Sequence, residues 1–218
     1  MRTSAIVASA IAAAALAAAG YVYARHTIVY ETTKVGTLKG KLQVEWIDQD
    51  TFLFVPDPVN PLVYMRGNKE VVQPGMMRTD FGSVPVAMRA LKSYSPWGYA
   101  PAFLIHDWLF VMKHCKLPGY EKLDLDVSAT IMAEILKTMM ESKRFGEPNT
   151  LVHYSMYQAV RTSTARDYWD KGTCQPAQEG ANKADQQARS AGASRAPSLE
   201  SAAPAPAPAI KRYTIEYK

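Results

Sequence analysis

The sequence predicts an α+β fold, a small antiparallel sheet followed by a helical bundle, carried by residues 35–172. Three observations predict it. Between residues 37 and 73, short segments of alternating apolar and polar residues are separated by Pro, Gly and Asn, as strands joined by turns are. From Val84 onward the apolar residues fall at helical spacing instead. The flanks are Ala-rich before this stretch and rich in Ala, Gln, Ser and Pro after it, so the core has to come from the middle of the chain.

In chain order, the first feature is Arg2, followed by an uncharged run of Ala, Ile, Val and Leu from Ala5 to Ala19 and then by Tyr21, Tyr23 and Arg25. A basic start, an apolar run and an aromatic end predict that residues 1–24 are a signal peptide or a membrane anchor. Ala17-Ala18-Ala19 and Val22-Tyr23-Ala24 both offer small-residue cleavage patterns. The plainer alternative is an Ala-rich soluble helix. On the first reading the membrane is a partner through this segment. The protein is then membrane-anchored or exported, to the periplasm if bacterial, or associated with a virion.

Residues 37–47 alternate as a half-buried strand does, and Thr51 to Val55 is a second short run. Pro56, Asp57, Pro58, Asn60 and Pro61 break the chain. Leu62 to Met65 and Glu70 to Gln73 read as two more strands around a turn at Gly67-Asn68, and Pro74-Gly75 closes the β-rich portion. Val86 to Lys92 reads as a short helix, with Ser83 as N-cap and Pro85 in its first turn. Ala102 to Met112 is apolar nearly all round, the mark of a buried helix, and ends at Lys113, Lys116 and Pro118-Gly119. A longer helix is expected from about Asp124 to Lys143, with Val127, Ile131, Ile135 and Met139 on one stripe. Asn149 caps a last helix over about 150–169. Residues 173–209 read as a disordered Ala/Pro-rich linker. Residues 210–218 are a C-terminal tail, disordered or forming a small docking segment.

The net charge is +5, and no long Lys/Arg block or basic-aromatic interleaving appears. A nucleic-acid partner is therefore not expected. Cys115 and Cys174 can pair if the domain is exported, or they are two unrelated thiols. There is no Gly-rich phosphate loop and no nucleophile elbow.

The polar pair inside the buried helix, His106-Asp107, is the candidate site. Burying an ionised carboxylate is expensive unless it is paired or bound to a metal. Successive helical residues stand about 100° apart, so the two side chains can flank one concave point. Asp80 precedes the helical half, and Asp126 opens the long helix. Asp80, His106, Asp107 and Asp126 are thus candidate ligands for a divalent ion such as zinc, manganese or magnesium. An open position on such an ion activates water for hydrolysis. His106, Asp107, Asp80 and His153 are the candidate catalytic residues, His153 as a fourth ligand or general base. A structural reading stands beside this one. Asp80 then caps a turn, Asp126 is a helix N-terminal carboxylate, and His106 and Asp107 close a network with Arg161 or Tyr157.

Thr79-Asp80-Phe81-Gly82-Ser83-Val84-Pro85, Ala102-Phe103-Leu104-Ile105-His106-Asp107-Trp108-Leu109, Asp126 and Met156-Tyr157-Gln158-Ala159-Val160-Arg161 occur in that order. They resemble the ordered motifs of the phage and bacterial domain-of-unknown-function family 1353, over about residues 50–172. The family's pattern has Ala where Gly82 stands, and its late glycine after the arginine is not evident here. The resemblance implies a phage or prophage connection and a common fold, and no settled activity. Two functions compete. One is a metal-dependent hydrolase of phage-like ancestry acting at the cell envelope. The other is a non-catalytic, membrane-anchored envelope or virion-associated protein that binds an envelope or phage protein.

Overall fold

The computed structural model describes residues 2–48, 51–81, 98–142, 147–174 and 212–217, with backbone alone at residues 2–10, 19, 48 and 212. Helix α1 (Arg2–Thr32) is followed by strands β1 (Thr37–Asp48), β2 (Thr51–Phe54), β3 (Val63–Met65), β4 (Val71–Val72) and β5 (Met77–Thr79). Helices α2 (Ala100–Cys115), α3 (Leu125–Glu141), α4 (Thr150–Ala159) and α5 (Ser163–Lys171) come next, and β6 (Arg212–Tyr217) ends the order. The expected helix at Val86–Lys92 and the linker from residue 175 lie outside the described residues.

The α+β class holds, with an antiparallel sheet followed by packed helices. The sheet order is β4-β3-β1-β2-β5, with β6 also on β1. β1 organises it by changing neighbours along its length. Thr37 to Lys39 pair with β3, Gly40 to Glu45 with β6, and Val44 to Asp48 with β2. Gly40 sits where the partner changes, at φ +99°, and a Cβ there would lie 2.0 Å from the Pro61 carbonyl oxygen. Only glycine fits that backbone crossing. Leu38, Leu42 and Val44 face the core, as the alternation predicts, whereas Trp46 and Ile47 are exposed where the register shifts. β5 follows Pro74-Gly75 rather than ending before it. It is a three-residue edge strand on β2, with Met77 and Thr79 buried and Arg78 exposed. Residues Arg212–Tyr217, read as a docking segment or a tail, form β6 with Tyr217 buried.

α2 is buried through Phe103, Leu104, Ile105 and Leu109, and stops at Lys116 in the left-handed region, with Lys113 and His114 in its last turn. Basic residues suit that carbonyl end. Asp124 caps α3 by accepting from Val127 N at 2.7 Å. One face of α3, including Ile131, Met132, Ile135 and Met139, fills the core, and burying each such side chain stabilises the fold by about 1.5–3 kcal/mol. Asn149 caps α4 as expected. The expected helix over 150–169 is two helices, because the chain turns at Val160–Thr162 and Thr162 caps α5 afresh. The Thr162-Ser163 pair carried that signal.

α1 docks on the domain by its last two turns. His26 Nδ1 and Thr150 Oγ1 are 2.9 Å apart, and Tyr30 packs edge-on to His153. Lys137 is buried and donates to the carbonyls of Tyr30 at 2.8 Å and Thr33 at 3.0 Å. An ammonium at the carbonyl end of a helix satisfies acceptors that have no partner within it. A second buried tie joins β3 to α3. Arg66 donates to Glu134 through Nε at 2.8 Å and Nη2 at 2.9 Å. Among the described residues, no helix is long and apolar enough to cross a membrane.

Candidate functional site

β5 runs beside the middle of α2, and the contact is polar. Thr79 Oγ1 donates to Asp107 Oδ2 at 2.6 Å and accepts from Phe81 N at 3.0 Å. Phe81 holds φ +51°, an uncommon backbone for a bulky residue, with its ring buried against Phe52. This tight turn places Asp80 at the surface between two buried neighbours, Thr79 and Phe81. Strained backbone beside a polar cluster is a recurrent mark of functional sites.

The cluster opens on a cavity of about 790 Å³. β5 contributes Arg78 and Asp80, and α2 contributes His106, Asp107, Phe110 and His114. The facing wall is Val160, Ala165, Tyr168 and Gly172. His106 itself is 3% exposed, and burial pushes its imidazole down to about 4. The ring is thus neutral at pH 7. Its Nδ1 lies 3.9 Å from Asp107 Oδ1, and a carboxylate there favours the charged ring, but desolvation is the larger effect. The Asp107 side chain is 23% exposed, so it joins the buried floor to the solvent of the cavity.

Asp80, His106 and Asp107 are therefore brought onto one cavity. Asp126 and His153 are not among its lining residues. Asp126 is exposed at the start of α3, where Arg161 donates to it from Nε at 2.8 Å and lies 2.7 Å away at Nη2. Arg161 also sits over the Tyr157 ring at 4.7 Å. The network expected between Arg161 and His106-Asp107 thus gives way to a pair with Asp126. His153 is fully buried between α1, α3 and α4. Its Nε2 donates to the Ala133 carbonyl at 3.0 Å, and burial pushes the ring down to about 4. Among the described residues, no group of three or more His, Cys, Asp or Glu side chains is placed to hold a metal ion.

Sequence reasoning missed Thr79, Arg78 and His114. Thr79 and Arg78 directly precede Asp80. His114 lies two turns beyond His106 on the same helical face, with Phe110 between them. His114 Nε2 donates to the Trp169 carbonyl at 3.1 Å, and a Cβ at Gly172 would lie 2.1 Å from its ring. The chemistry on this face is two imidazoles, of which His106 is buried and neutral, two carboxylates and an arginine over an apolar and aromatic wall.

A family described as "Protein of unknown function (DUF1353)" matches residues 59–160. The match runs from just before β3 to the end of α4. It includes the Thr79–Asp107 contact and excludes α5 and Cys174. No curated protein and no solved structure matches the chain.

Proposed function

Residues 59–160 belong to the DUF1353 family, and on that premise we propose that the domain is a hydrolase of phage-like ancestry acting at the cell envelope. The observation that carries the reading is the Thr79-anchored Asp107 beside the buried, neutral His106 on the floor of an open cavity. Hydrolysis needs a water held in place and a group that takes its proton. Thr79 holds Asp107 through Oδ2, and Oδ1 lies on the His106 side, so on this reading the carboxylate and the imidazole together orient a water. His106 accepts the proton, and the adjacent carboxylate steadies the imidazolium that forms. Asp80 and Asp107 are the two carboxylates that would hold a hydrated divalent ion, since magnesium and manganese sites can be built from one or two carboxylates plus water. The envelope location is supported by the uncharged run from Ala5 to Ala19 after Arg2 and by the Cys115–Cys174 disulfide, a bond that persists in oxidising compartments.

The low basicity of His106 favours a second reading, since a general base works best with a pKa near the operating pH. On that reading the cavity binds without turnover, in a non-catalytic envelope or virion-associated protein. One experiment separates the two. Full-length protein, His106→Gln and Asp107→Asn are incubated with peptidoglycan and other envelope polymers, with and without added magnesium, manganese or zinc. Release of soluble fragments by wild type, lost in both variants, supports the hydrolase. Retention of polymer by all three proteins without fragment release supports the binding protein and removes the catalytic roles.

A further inference from the structure

The cavity wall facing α2 is built from a segment with little packing of its own. Thr164, Ala165, Tyr168, Gly172 and Thr173 line the cavity, and all five lie between residues 163 and 174. α5 has nine residues, and Trp169 is its one buried side chain. An isolated helix that short is not stable in water. Trp169 meets Phe110 edge-on at 4.8 Å, and its carbonyl receives the His114 bond at 3.1 Å. The covalent tie is the Cys115–Cys174 disulfide. Each half-cystine directly follows a residue that lines the cavity, His114 in one case and Thr173 in the other.

We propose that Cys115–Cys174 is a thiol–disulfide exchange site for a dithiol, and that opening it releases residues 163–174 and uncovers the cavity. Cys174 is the exposed residue of the pair, so its sulfur is the accessible one. A thiolate of the dithiol attacks Cys174 Sγ, the protein S–S bond breaks, and Cys115 leaves as a thiolate that takes a proton. The second thiol of the reagent then attacks the mixed disulfide. Cys174 is released as a thiol, and the reagent closes its own disulfide. Two electrons and two protons pass to the protein, and an oxidant reverses the exchange. The inference needs the cavity and its wall, and does not depend on the hydrolase reading.

Hydrogen exchange followed by mass spectrometry on the full chain tests it, using dithiothreitol as the dithiol. The oxidised protein, the reduced protein and the Cys115→Ser/Cys174→Ser double variant are compared. The expected result is at least tenfold faster exchange across 163–174 in the last two, unchanged exchange in α2 and α3, and recovery of the reduced sample on reoxidation. Three results overturn the proposal. One is a disulfide that stays closed under native conditions. Another is unchanged protection of 163–174 once both sulfurs are reduced or replaced. The third is loss of protection across the whole domain together, which makes the bond a staple of the entire fold.

Discussion

Lowering the pH from 7 to 5 will destabilise this domain through its two uncharged, buried histidines. Burial pushes His106 and His153 down from 6.5 to about 4. Between those values the unfolded chain binds protons that the folded chain does not. Stability therefore rises with pH across this window. The contribution is present in full above pH 6.5 and is lost as the pH falls through about 4. The gap between the folded and unfolded values is worth about 3 kcal/mol per histidine when fully expressed. Between pH 7 and pH 5 the loss is roughly 2 kcal/mol for each. Two such losses are a large share of a stability that is about 5–15 kcal/mol in ordinary domains. Urea unfolding at pH 7, 6 and 5 measures the loss in wild type and in His153→Gln, whose amide can still donate to the Ala133 carbonyl. The variant should lose about 2 kcal/mol less than wild type. Carboxylate titrations are common to both proteins and cancel in the comparison. Equal losses in the two proteins would refute the assignment of His153 as buried and neutral. A proton NMR titration in which the His106 ring charges near 6.5 would refute it for His106.

Two more outcomes follow from single side chains. Thr79→Val keeps the shape of the residue but removes the 2.6 Å bond to Asp107 and the acceptor for Phe81 N. A lowered urea midpoint equivalent to about 2–3 kcal/mol is expected, since hydrogen bonds to charged groups are worth about 1.5–3 kcal/mol; a loss under about 0.5 kcal/mol would show that the contact does not hold Asp107. Lys137→Met removes the ammonium from the carbonyl end of α1 and should loosen that helix before the rest unfolds. Trypsin cleavage after Arg25 should speed up severalfold in the variant while cleavage within α3 does not, and equal rates at Arg25 would deny Lys137 this role.

Much of the architecture is legible because it rests on local periodicity. The alternation of residues 37–47 requires a strand with one buried face, and the all-round apolar run from Ala102 requires an enclosed helix. Asn149 and Asp124 announce their helices through the hydrogen bonds their side chains can make to the first turn. The same local logic singled out Asp80, His106 and Asp107, because a carboxylate in an apolar helix demands a reason. It did not show that Thr79 supplies the partner. A threonine before an aspartate has no pattern of its own, and its bond to Asp107 spans 28 residues.

The sequence by itself determined β1 to β4, α2, α3, the start of α4 and the polar pair on the buried helix, since each follows from the spacing of side chains along one element. The tertiary structure alone decided which polar groups meet. It gave Asp126 to Arg161 and closed His153 into the interface with α1. It put His114 opposite Gly172, joined Cys115 to Cys174, and laid β6 along β1. The physical reason is the range of the forces involved. Periodic burial is set within a few residues, whereas a buried charge, a hydrogen bond or a disulfide is satisfied by whatever group the packed chain brings within about 3 Å.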